Sequence, residues 1–150
     1  MKPKILLYLA LVLSGALATC STSAADSNSL RVVVKPSKTE VRIKEIFKVA
    51  LRVENSTTTN QTVRVMSCIW DDEWKTSNTN ISWLGWVCTR NLAIPIEIPP
   101  GGAYTNQLAM LIPQPISDKA LSFRMSLTPI GSQTTFWSND VKLKILPPDK

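Results

Sequence analysis

Beyond about residue 30, apolar and polar side chains alternate with a period of two, and no segment keeps helical spacing. The clearest stretch is 46–54, where Phe47, Val49, Leu51 and Val53 share one face while Lys48, Ala50, Arg52 and Glu54 share the other, the pattern of a half-buried strand. A strand over 62–69 sets Val63, Val65 and Ile69 against Arg64, Met66 and Cys68. Further strands are predicted over 93–98 and 104–112. Another carries Leu121, Phe123, Met125 and Leu127 on one face. A last one has Trp137, Asn139, Val141, Leu143 and Ile145 sharing a face. Residues 30–35 and 40–43 read as one split first strand, with Pro36 at an edge or kink. Turns fall at 55–60, at Pro99-Pro100-Gly101-Gly102, at Pro113-Gln114-Pro115 and at Pro129-Ile130-Gly131.

The first 25 residues follow a different pattern. Lys2 and Lys4 precede an apolar run over 5–18 broken only by Ser14 and Gly15, and small residues follow through Ala24 and Ala25, the layout of a cleaved secretory signal. The run is short for a membrane span, which needs about 20 apolar residues. Two processing routes are open. A general signal peptidase would cut after small residues near Ala24 or Ala25. Alternatively, Leu17-Ala18-Thr19-Cys20 resembles the lipobox of bacterial lipoproteins, with 1–19 removed and Cys20 lipidated as a membrane anchor; Thr19 departs from the Gly, Ala or Ser of that pattern. The organisation expected is a signal over 1–25, a linker over 26–29, one domain over 30–146 and a tail over 147–150. The product is periplasmic, anchored to the envelope or secreted.

Export leaves Cys68 and Cys88 as the two cysteines of the domain, and in an oxidising compartment they are expected to pair; two separate buried thiols are the alternative. Formal charge falls from +6 to +4 once Lys2 and Lys4 leave with the signal. That is modest, and no run of Lys and Arg marks a nucleic-acid partner. The strand cations Lys48, Arg52, Arg124, Lys142 and Lys144 read as ordinary polar-out positions. The chain has no histidine, which excludes Ser-His-Asp and Cys-His catalysis and the His-containing sites that dominate catalytic zinc. No cofactor or metal motif is present. Asp71-Asp72-Glu73 lacks calcium-loop spacing and reads as a solvated acidic turn. Carboxylate-based hydrolysis needs only two acids, with candidates Asp71, Asp72, Glu73, Glu97 and Asp118, but none lies in a recognisable motif.

Short strands at this spacing, about seven in all, form the pattern of an immunoglobulin-like antiparallel β-sandwich. Three segments resemble those of bacterial immunoglobulin-like and fibronectin-III-like adhesion and accessory domains. They are the 47–54 strand with Asn55 at its exit, Ile96-Glu97-Ile98-Pro99-Pro100-Gly101 with its turn, and Trp137-Ser138-Asn139-Asp140-Val141-Lys142-Leu143 as a last strand. The resemblance implies architecture, and architecture does not imply function. Cys68 and Cys88 are too close in the chain for the antibody-type bridge, so their disulfide would staple the base of the intervening segment. Three Asn-x-Ser/Thr acceptor patterns, at Asn55, Asn60 and Asn80, matter only in a eukaryotic host and are read as turn chemistry.

Four of the five tryptophans, Trp70, Trp74, Trp83 and Trp86, fall between the cysteines among polar residues. Such rings stack on ligand faces while amides and carboxylates orient them. Trp74 and Trp83 are expected to be exposed, with Asp72, Asn78 and Asn80 as polar partners. Trp70 and Trp86 are candidates for packing the core or covering the bridge, and Trp137 for the core. The function expected is non-catalytic binding of a protein or an envelope polymer or glycan through this stapled loop. The alternatives are a carboxylate-dependent glycan hydrolase and a periplasmic inhibitor or chaperone-like accessory factor.

Overall fold

The alternation over 47–55 becomes β3 (Phe47–Asn55), in which Phe47, Val49, Leu51 and Val53 are buried and Lys48, Ala50 and Arg52 face solvent. Both of its edges are paired. β1 (Leu30–Pro36) runs antiparallel along one edge, with Leu30 opposite Asn55 and Pro36 opposite Val49. β8 (Ala103–Leu111) runs along the other, with Phe47 opposite Met110 and Glu54 opposite Ala103. β6 (Ser82–Trp83) adds to the far side of β8, Trp83 opposite Met110, so this sheet has the order β1-β3-β8-β6. The computed structural model describes residues 29–85 and 88–147. The expected signal, Cys20, the linker as far as residue 28, Trp86 and the last three residues lie outside the described residues.

Three smaller sheets complete the fold. β4 (Gln61–Met66) pairs with β7 (Ala93–Ile98). β10 (Met125–Leu127) lies between β5 (Trp74–Thr76) and β11 (Phe136–Trp137). β12 (Val141–Leu146) lies between β9 (Ala120–Phe123) and β2 (Glu40–Arg42), the latter in parallel. All other pairings are antiparallel, and no helix occurs among the described residues. Backbone bonds extend and join these sheets: Thr128 N–H to the Glu73 carbonyl at 2.7 Å and Ser138 N–H to the Met125 carbonyl at 2.8 Å prolong the β5-β10-β11 sheet, and Ile130 N–H to the Arg64 carbonyl at 2.9 Å joins the chain after β10 to β4. Val32 of β1 also bridges to Ser138. Residues from all four sheets, among them Val34, Val41, Phe47, Val63, Trp74, Phe123, Leu127 and Leu143, form one buried cluster.

Twelve strands occur among the described residues rather than about seven: the first, the 121–127 and the last predicted strands each divide in two, and the short β5 and β6 lie in the segment between the cysteines that was expected to be a loop. Between β9 and β10, Arg124 bonds to Ser77 instead of a strand: Arg124 N–H donates to Ser77 Oγ and Ser77 N–H to the Arg124 carbonyl, both 2.9 Å. The 62–69 strand stops at Met66, and Ile69, expected to share a face with Val63 and Val65, is exposed while those two are buried. The last strand is interrupted at 138–140. There Ser138 is buried, its Oγ accepting from Met125 N–H at 3.0 Å. Asn139 uses its side chain as a strand partner for Val34, accepting its N–H at 2.9 Å and donating to its carbonyl at 3.1 Å. This bulge resets the alternation. Val141 and Leu143 point inward as expected, but Trp137, expected in the core, points outward and is 47% exposed.

Asn55 shows why the strand exit needs that residue. It is buried, and its amide nitrogen donates to the carbonyls of Thr59 (2.7 Å) and Ile98 (2.9 Å) while its oxygen accepts from the Thr57 N–H (2.9 Å) and hydroxyl (2.7 Å). One side chain thus closes the 55–60 turn and ties it to the end of β7. Asn55→Ala should lower stability by about 1–3 kcal/mol, since several buried polar groups lose their partner at once. Urea unfolding of the two proteins measures this directly.

Candidate functional site

Where β4 ends at Met66, the chain makes an excursion that returns at β5. Both backbone groups of Met66 are taken by its side chains: the N–H donates to Glu73 Oε1 at 2.9 Å, and the carbonyl accepts from the Trp70 indole N–H at 3.1 Å. Trp74 N–H closes the turn on the Trp70 carbonyl at 2.9 Å. Cys68 lies inside the excursion and is disulfide-bonded to Cys88, Cα to Cα 6.2 Å. The expected pairing is therefore formed, and it is consistent with an oxidising compartment. Asn91 fixes the chain beside the bridge, its Oδ1 accepting from the N–H groups of Cys68 and Ile69 and its Nδ2 donating to the Ile69 carbonyl, all 3.2 Å. Leu92 and Ser67 exchange hydrogen bonds at 2.8 and 3.1 Å.

This geometry corrects half of the expected aromatic pair. Trp74 is 1% exposed. As the first residue of β5 it stands opposite Leu127, and its ring belongs to the core, so it offers no surface to a ligand. The excursion over 67–73 shifts the alternation, turning Trp74 inward where a simple loop would leave it outside. Trp83 is half-buried. It packs on the core from β6, and its indole N–H donates to Asp71 Oδ1 at 2.7 Å. The Trp83 and Asp71 pair separates two small clefts. One, of ≈ 220 Å³, is lined by Cys68, Ile69, Trp70 and Leu84; the other, of ≈ 310 Å³, by Thr76, Ile81 and Ser82. Trp70 is half-buried against the core, in keeping with its expected packing role.

Of the polar candidates, Asp72 and Asn80 are exposed. Asn78 is committed to structure: its Nδ2 donates to the Ser122 carbonyl at 3.0 Å and its Oδ1 accepts from Asn80 N–H at 3.0 Å. The acidic turn is not wholly solvated as expected. Asp71 and Asp72 are exposed, but Glu73 is 0% exposed, with one carboxylate oxygen on Met66 and the other without a hydrogen-bond partner. Burial raises the Glu73 pKa above its ordinary value of 4.5, the charges of Asp72 and Asp71 add to the rise, and the Met66 N–H opposes it. Among the described residues no three His, Cys, Asp or Glu side chains are placed to hold a metal ion.

The sequence reading missed the apolar surface around the bridge. Ile69 beside Cys68, Leu84 after β6, Leu92 bonded to Ser67, and Ile94 of β7 opposite Val65 are all exposed. A period-two pattern assigns such residues inward, and only the break after Met66 and the edge position of β7 bring them out.

Two outcomes follow for stability. Trp74→Ala should cost about 3–5 kcal/mol, as removal of a fully buried aromatic does, whereas Trp83→Ala should cost markedly less; chemical denaturation of both separates core from surface. Glu73 binds its proton more tightly in the folded than in the unfolded chain. Stability is therefore greatest below about pH 4.5 as far as this group is concerned, and falls as pH rises through the folded pKa. Glu45, held low by Lys38 and Arg42, acts with the opposite sign and only below its ordinary value, while Tyr104, raised by burial, acts only above 10.0. Urea midpoints measured from pH 4.5 to 8 should decline with pH in the natural protein, and Glu73→Gln should flatten that decline.

No protein-family model and no curated protein matches the chain. Solved structures similar to it include a FixG-related protein from Vibrio parahaemolyticus, 14% identical with a TM-score of 0.48, the match covering 80% of this chain and 99% of that one. Another is the sporulation control protein Spo0M from Bacillus subtilis, 12% identical with a TM-score of 0.50 over 80% of this chain. The chain spans 50% of the length of Spo0M, and at this identity the likeness is one of fold alone.

Proposed function

We propose that the chain is an exported, non-catalytic immunoglobulin-like domain that docks on a partner protein through the disulfide-bounded loop. The observation that carries this reading is the gathering of Ile69, Leu84, Leu92 and Ile94 around the Cys68–Cys88 bridge, four of the six large apolar side chains exposed among the described residues. Ile69 and Leu84 line the same cleft beside Cys68, and exposed apolar surface of this kind marks an interaction site. The clefts on either side of Trp83, ≈ 220 and ≈ 310 Å³, are at or below the about 300–1,000 Å³ of small-molecule sites. They suit single side chains of a protein partner, with the half-buried Trp83 as an aromatic anchor of the kind enriched at binding hot spots.

The immunoglobulin-like sandwich is supported by the way the strands join. On this reading the β1-β3-β8-β6 sheet is one layer and the three smaller sheets make up the opposing one, two of them joined where Ile130 N–H meets the Arg64 carbonyl. β1 and β2 divide the first strand between the layers, as the split around Pro36 implies. Export is supported by the signal-like 1–25 segment and by the disulfide. A non-catalytic role is supported by the absence of histidine and by the state of the carboxylates: Asp71 is engaged by Trp83, Glu73 is enclosed, and Glu97 and Asp118 lie on separate elements.

The test is capture from an extract of the native cell envelope, comparing the natural protein with Ile69→Asp and Leu84→Asp, and with Ile46→Asp, at the exposed residue before β3, as a control. A partner retained by the natural protein and the control but lost by both bridge variants, with unchanged melting temperatures, supports the docking surface. Identical capture by all four proteins removes it. Reduction of the disulfide should in addition lower stability by about 3 kcal/mol, the chain-entropy value for a loop of this length.

A further inference from the structure

We propose that the outer face of the β5-β10-β11 sheet is a second binding site, an aromatic platform for an acidic saccharide, with Trp137 as the stacking ring and Arg124 as the carboxylate-binding cation. The inference does not depend on protein docking at the bridge. Register places Lys75, Ser126 and Trp137 in one row across the sheet. Cross-strand partners share a face, and the inward positions Met125, Leu127 and Phe136 are buried, so this row is the outward one; Lys75 and Trp137 are exposed in it, while Ser126 between them is only 2% exposed and offers a ligand no contact. In the next rows, Arg124 and Ser122 alternate with the buried Phe123, and Lys142 stands opposite Ser122.

Trp137 is the one tryptophan among the described residues with nearly half its surface exposed, at 47%. An indole left on a sheet face, rather than turned into the core that Phe136 enters beside it, is a surface feature that needs a partner. Arg124 supplies part of one. Its guanidinium carbon lies 5.0 Å from the indole centroid, within the range of a cation–π contact, and its Nε is 3.8 Å from Asp140 Oδ1. These contacts hold the two side chains together while leaving both partly open, the Arg124 side chain 47% exposed.

The chemistry of the face selects the ligand. An indole stacks on the C–H face of a pyranose ring. Arg124 and Lys142, with Lys75 whose ammonium also donates to the Asp71 carbonyl, bring three cations to this face beside Asp140, so the complementary ligand carries negative charge, and a guanidinium is the cation suited to bidentate recognition of a carboxylate. The hydroxyl of Ser122 lies within the same rows. A sheet surface of this kind suits a run of sugar units better than a small molecule that must be enclosed.

The experiment is isothermal titration of the whole folded domain with oligogalacturonate and hyaluronate oligomers, and with a neutral oligogalactoside of matched length. The acidic oligomers should bind, and more weakly as salt is raised. Trp137→Ala should reduce that affinity on the order of 10-fold or more without change in melting temperature. Trp137→Phe should retain part of it. Arg124→Gln should abolish the preference for acidic over neutral oligomer, and Leu84→Asp should leave binding unchanged. Failure of both acidic oligomers to bind, equal affinity in Trp137→Ala, or equal binding of the neutral oligomer overturns the proposal. So does binding only to vesicles of anionic phospholipid, which would make the face a membrane contact.

Discussion

Met66 is where the structure turns from scaffold to surface. A strand that stops must still satisfy its backbone N–H and carbonyl, because unpaired buried groups of this kind are rarely tolerated. Here Glu73 and Trp70 satisfy them from within the excursion that follows. That closure brings the chain back as β5 with Trp74 in the core, places Cys68 opposite Cys88, and leaves Asp71 to hold Trp83. The disulfide and Asn91 secure the outer side of the same excursion. A buried carboxylate in such a position has a cost, since one oxygen of Glu73 lacks a partner. It makes this part of the fold responsive to pH, because burial holds the Glu73 pKa above its ordinary value.

The same device recurs wherever a strand breaks. Asn55 closes the exit of β3, Ser77 takes both backbone groups of Arg124 between β9 and β10, and Ser138 with Asn139 carries β1 past the interruption before β12. Each break displaces the alternation of inward and outward residues, and the displaced side chains are the ones exposed as candidate binding groups. Ile69 follows the break after Met66, and Trp137 precedes the bulge at 138–140. Regular strands supply the core, and their interruptions supply the surface chemistry.

The exposed apolar residues around the bridge and the Trp137 platform differ in kind. The first is a mainly apolar surface beside clefts sized for single side chains, and the second is an aromatic ring among cations on an open sheet face. Taken together, the two proposed surfaces would let the chain link a protein to a polymer.

Local pattern alone sufficed for β3 and β8, for the turns at Asn55 and at residues 99–102, and for the all-β class, because period-two alternation and turn residues are local properties. The pairing of Cys68 with Cys88 was also readable, from cysteine count and the signal-like pattern of the first 25 residues. The orientation of Trp74 and Trp137 was not. Each lies next to a break whose existence depends on a distant partner, Glu73 reaching back to Met66 in one case and Asn139 reaching Val34 in the other. The burial of Glu73 and the parallel docking of β2 on β12 likewise arise from elements remote in sequence. Sequence by itself thus determined where the long strands lie and which cysteines join. Tertiary structure decided which aromatic rings meet solvent, because every bulge resets the two-residue period and the groups that stabilise a bulge come from elsewhere in the chain.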